Sequence, residues 1–103
     1  MITHTVMFKL DGFKSLEEKN EHLNRIKEAF ETLPDEIEQL IDLKVAININ
    51  PEEKDFDFLL KAHVPHVDDL ALYAEHPAHV SFVKGLIAPY KVARACVDYI
   101  SEL

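Results

Sequence analysis

The chain has 103 residues, enough for one domain spanning 1–103 that buries about two thirds of the surface its unfolded form would expose. Apolar residues make up 48%, so a packed core is feasible. Eleven Lys and Arg against 19 Asp and Glu give a formal net charge of −8, which repels nucleic-acid phosphates and anionic lipids and excludes both as expected partners.

Ile2, His4, Val6, Phe8 and Leu10 alternate with Thr3, Thr5, Met7 and Lys9, the period of a strand, with His4 on its apolar side. Ser15-Leu16-Glu17-Glu18 reads as a capping box, so a helix is expected from Leu16, with Leu16, Leu23, Ile26, Phe30 and Leu33 on one stripe and His22 on the charged surface. Pro34 ends it, and Pro34 to Leu40 reads as a short helical turn. Leu43, Val45, Ile47 and Ile49 form one side of a second strand, alternating with Lys44, Ala46, Asn48 and Asn50.

Pro51 to Asp55 is a charged turn, and Phe56, Phe58, Leu60, Ala62 and Val64 share a face of a third strand. Asp68 or Asp69 is placed to cap a second helix through Leu70, Leu72 and Tyr73, which continues from Pro77 through Val80, Phe82, Val83, Leu86 and Ile87 until Pro89 closes it. Lys91 to Ile100 is the last strand, with Val92, Arg94, Cys96, Asp98 and Ile100 opposite Ala93, Ala95, Val97 and Tyr99. The order β-α-β-β-α-β predicts an α+β, ferredoxin-like fold, a four-stranded antiparallel sheet with both helices on one face. The other face is bare and only weakly polar, which predicts a homodimer in which two sheets face each other as a barrel.

Two glycines, Gly12 and Gly85, cannot build a phosphate-binding loop. The single cysteine, Cys96, has no internal disulfide partner and is expected as a buried structural thiol without an adjacent base, in a reducing, cytoplasmic setting. The start of the chain lacks a signal-peptide apolar core, and no run is long enough to span a bilayer.

Charge is unevenly placed: residues 11–60 hold 14 acids and 6 bases, whereas residues 61–103 hold 5 acids and 4 bases together with four of the six histidines and all three tyrosines. Tyr73-Ala74-Glu75-His76-Pro77-Ala78-His79 is the densest cluster there. An imidazole titrating near neutrality beside a phenol is an acid/base pair, and a spacing of three would bring Tyr73, His76 and His79 toward one helical face. The competing structural reading has His76 capping the helix and His79 making a buried hydrogen bond. The pairs His63/His66 and His76/His79 have a metal-like spacing, but no carboxylate is evidently placed with them, so neither a metal nor another cofactor is expected.

Ile2-Thr3-His4-Thr5-Val6-Met7-Phe8-Lys9-Leu10, the Leu33-Pro34 to Ile37 turn, Leu72 to His79 with Phe82, and Val97-Asp98-Tyr99 together resemble the stress-responsive A/B barrel, or Dabb, family across almost the whole chain. The resemblance implies a dimeric α+β barrel. It also relates the Y-x-x-H-P-A-H segment to the plant olivetolic acid cyclases of that family, which close a linear polyketide by aldol condensation. Carried over, it implies His79 as base, Tyr73 as hydrogen-bonding acid and His4 as a site-lining residue, with His76, Phe8 and Phe82 about the ligand. The expected function is binding of a small, partly apolar, polyketide-like molecule, with cyclase, isomerase or lyase-type chemistry. A second reading is a noncatalytic stress-response or structural dimer. The oxygenase chemistry of related barrels is set aside for want of a ligand set.

Overall fold

A computed structural model describes residues 1–50 and 52–101. Strands β1 (Ile2–Leu10), β2 (Asp42–Ile47), β3 (Phe58–Val64) and β4 (Lys91–Ile100) form one antiparallel sheet in the order β2-β3-β1-β4. Helices α1 (Leu16–Phe30), α2 (Asp68–Glu75) and α3 (Pro77–Phe82) follow β1 and β3 as the sequence pattern predicts, and α3 runs on into a π-helical turn over Val83–Ile87. The core lies between sheet and helices, where Val6, Leu60 and Val45 from adjacent strands meet Ile26, Phe30 and Ile87. The fold is ferredoxin-like, with β1 at its centre and β4 along an edge.

Several boundaries differ from the sequence expectation for identifiable reasons. Ser15 Oγ accepts the Glu18 amide at 3.0 Å, as a capping box requires, but the Glu18 carboxylate reaches the Lys14 amide at 3.4 Å. Leu16 is 67% exposed and stands off the stripe. His22 takes an inward place instead and is buried: its Nε2–H donates to the Leu86 carbonyl at 2.7 Å, and its ring packs against Phe13 and Tyr90. A satisfied imidazole can lie in a core that an alternating charge pattern would assign to solvent.

The short turn after α1 is a 3₁₀ helix of Leu33–Asp35. Strand β2 ends at Ile47, leaving Ile49 99% exposed, and β3 begins at Phe58 rather than Phe56. There the Asn48 backbone amide donates to the Asp57 carbonyl at 2.9 Å and its side-chain amide to the Phe56 carbonyl at 2.8 Å, closing the end of the ladder. Pro51, in the expected charged turn, lies outside the described residues. Neither aspartate caps α2 as expected: Val67 is the N-cap residue, and the Asp69 carboxylate reaches back to accept the His66 amide at 3.0 Å.

The expected continuous second helix is broken at His76, whose backbone is extended (φ −61°, ψ 134°). Pro77 dictates this, since a residue before proline is pushed out of the α region while proline itself suits the first helical position. The joint turns α3 relative to α2.

Candidate functional site

The broken helix carries the polar residues of a cavity of about 400 Å³ between α2–α3 and the β1–β4 half of the sheet. Its apolar wall includes Val6, Phe8, Phe30, Leu60, Val83 and Ile87, and its polar groups are His4, Tyr73, His79, Asp98, Arg94 and Lys91. An apolar enclosure with a few convergent polar groups is what a small-molecule site requires.

Tyr73 is 2% exposed, and its hydroxyl is buried without a hydrogen-bond partner among the described residues. Burial drives its pKa far up, so the phenol is neutral throughout the physiological range. His79 lies against it with ring centroids 4.4 Å apart. His79 Nδ1 is 2.9 Å from the Ala74 carbonyl, a group that can only accept, so Nδ1 carries the proton and the neutral ring keeps Nε2 as a free base. Burial lowers the His79 pKa from 6.5, against the pull of the Ala74 hydrogen bond and with the help of His4 and His76. A neutral base therefore stands beside a neutral acid.

His4 enters from the centre of the sheet, its ring edge-on to Tyr73 at 6.1 Å between centroids. The register puts it opposite Asp98, and the His4 Nδ1–H donates to Asp98 Oδ1 at 2.6 Å. The structure thus brings His4, Tyr73, His79 and Phe8 to one cavity. His76 and Phe82 are placed otherwise. His76 Nδ1 accepts the Ala78 amide at 3.1 Å and caps α3, while Phe82 packs on Phe30 behind the cavity wall at 5.7 Å between centroids. Glu75 is exposed.

Tyr73, His76 and His79 do not share a face of one helix; His79 reaches Tyr73 because the chain turns at His76. Sequence reasoning also missed Asp98, Arg94 and Lys91. Strand alternation put Arg94 and Asp98 on one side of β4, but which strand that side faced depended on pairing. The expectation that Cys96 has no adjacent base is corrected: the Asp98 carboxylate lies 3.7 Å from its sulfur, with the protonated His4 Nδ1 that it accepts from 3.5 Å away. Burial, reinforced by the Asp98 charge and opposed by Arg94, holds the thiol above its usual range. The two H-x-x-H pairs do not converge, since His63 Nδ1 is engaged by Asp42 at 2.5 Å and His76 Nδ1 by the helix cap.

The family model described as Stress Responsive A/B Barrel Domain matches residues 2–101. An uncharacterised protein of Streptomyces coelicolor is 37% identical over 98 residues, covering 88% of this chain and 99% of its own. A crystal structure of a dimeric protein of unknown function with a ferredoxin-like fold, from Bacteroides fragilis, is 39% identical, with a TM-score of 0.85 over 95% of this chain and 93% of that one. The hydroxynitrile lyase of Passiflora edulis, at 16% identity, superposes with a TM-score of 0.76 over 99% of this chain and 94% of its own, a likeness of fold alone.

Proposed function

The chain belongs to the stress-responsive A/B barrel family, and from that premise we propose that it binds a small, partly apolar carbonyl compound in the Tyr73–His79 cavity and moves a proton on it. The buried, unpartnered Tyr73 hydroxyl carries this reading. An orphaned buried hydroxyl costs stability, and a ligand oxygen is the partner that would satisfy it. In the reaction, His79 Nε2 removes a proton from the carbon next to a carbonyl, and Tyr73 donates a hydrogen bond to the oxygen on which negative charge gathers. The carbanion then adds to a second carbonyl (cyclase), is reprotonated elsewhere (isomerase) or expels a leaving group (lyase). The apolar wall takes the remainder of a polyketide-like substrate and keeps water from the carbanion. His4, held by Asp98, fixes the floor beneath Tyr73.

The unit is proposed to be a homodimer. The sheet face away from the helices exposes Val97 (63%) and Tyr99 (43%) beside Ala93, Ala95 and Met7, and the Bacteroides fragilis relative is described as dimeric. The competing reading, a noncatalytic dimer, is favoured by the structural work of two histidines: the His76 cap and the His79 bond to Ala74.

A panel of aromatic and polyketide-like carbonyl compounds, titrated into the wild type and the Tyr73→Phe and His79→Ala variants, separates the two. Binding lost by at least about tenfold in folded variants supports the cavity reading. Loss of stability with unchanged binding supports the structural one. Light scattering at micromolar concentration giving the mass of one chain refutes the dimer.

A further inference from the structure

We propose that His4, Cys96 and Asp98 form a site for a zinc-type divalent transition-metal ion at the rim of the cavity, with its fourth coordination position open. This goes beyond the acid/base reading, which uses no metal, and does not depend on it. The three ligand atoms come from two adjacent strands: His4 from β1, and Cys96 and Asp98 from one face of β4. Cys96 Sγ is 3.5 Å from His4 Nδ1 and 3.7 Å from Asp98 Oδ1, and Nδ1 to Oδ1 is 2.6 Å.

Tetrahedral zinc with ordinary bond lengths sets its ligand atoms about 3.6 Å apart where sulfur is one of the pair and about 3.3 Å apart between nitrogen and oxygen. Both sulfur distances therefore already match. Only the imidazole–carboxylate pair must open, by about 0.7 Å, when the ion replaces their shared proton. The thiol proton leaves to solvent, and the imidazole proton passes through solvent from Nδ1 to Nε2, so that a neutral ring offers Nδ1 to the ion.

The donor set decides the class of ion. A thiolate with an imidazole and one carboxylate suits zinc and its cobalt surrogate, and disfavours magnesium and calcium, which take oxygen ligands. Arg94, a neighbouring cation on this face, lies over the Phe8 ring, with Cζ 6.0 Å from its centroid, and also reaches the Cys96 sulfur, a contact the ion would have to displace. His4 and Asp98 both line the cavity, so the open position of the ion borders it. The unpartnered Tyr73 hydroxyl, edge-on to His4, supplies a hydrogen-bonding group for an oxygen bound there. Three protein ligands with an open fourth place are the pattern of a reactive rather than a structural zinc site.

Titration of the tag-free, reduced full chain with cobalt(II) tests this. The expected result is one cobalt per chain with a thiolate-to-cobalt charge-transfer band, displaced by zinc(II) and unaffected by magnesium(II). Cys96→Ser should abolish the band, and Asp98→Asn, a change on an edge strand, should weaken binding at least tenfold. Asp42→Asn, which breaks the other His–Asp pair, should leave both unchanged. No band in the wild type, a band of undiminished affinity in Asp98→Asn, or half a cobalt per chain, as when two cysteines from different chains share an ion, would overturn the proposal.

Discussion

Replacing Tyr73 by Phe should stabilise the ligand-free protein while it damages binding. The phenol ring fills core space beside His79 and His4, and Phe keeps that ring, so packing changes little. What disappears is a hydroxyl buried without a partner. A buried polar group left unsatisfied costs about 1–3 kcal/mol. Taking the lower end, because the hydroxyl borders an open cavity, the variant should gain about 1 kcal/mol, which for a domain of this size raises Tm by about 4–8 °C. Tyr73→Ala, by contrast, empties the ring's place and should cost about 3–5 kcal/mol.

Thermal unfolding followed by circular dichroism reads both variants. The same samples titrated with a carbonyl ligand should show the Phe variant binding at least about tenfold more weakly. A Phe variant that melts several degrees below the wild type would refute the reasoning, because it would mean that the hydroxyl has a stabilising partner in the folded chain.

The His79 pKa is lowered on folding, so the unfolded state binds the proton more readily. Its contribution to stability is then fully present above the ordinary value of 6.5 and is lost as pH falls from there through the lowered folded value. Urea denaturation between pH 7 and pH 5 should show that loss, and His79→Gln should flatten it; an unchanged slope would place the titration elsewhere. Asp57 is buried with its carboxylate accepting the Leu10 amide at 2.7 Å and pairing with Lys19 at 2.9 Å. Asp57→Ala leaves that amide without an acceptor and should cost about 2 kcal/mol in chemical denaturation. On the open sheet face, Val97→Asp should convert a dimer to single chains in light scattering without lowering the helical content.

The strands were legible in the sequence because a two-residue period decides which side chains share a face, and β1 and β4 have the bounds that the alternation predicts. The start of α1 was equally legible, since a capping box is a local interaction. His22 was not: its hydrogen bond to Leu86 joins residues 64 positions apart, and nothing in the charged pattern around it reports such a partner. The break at His76 was written in Pro77, but its consequence, the turn that lays His79 on Tyr73, was not.

The sequence by itself determined the order of elements, the family likeness and the residues from which a site would be drawn, because periodicity, caps and proline act over a few residues. Only the tertiary structure decided which of them meet. Antiparallel pairing of β1 with β4 set His4 against Asp98 and Cys96, 94 and 92 residues away. The cavity enclosed under the broken helix left the Tyr73 hydroxyl without a partner among the described residues. Register and enclosure depend on how distant surfaces pack, and that packing sets the chemistry of the site.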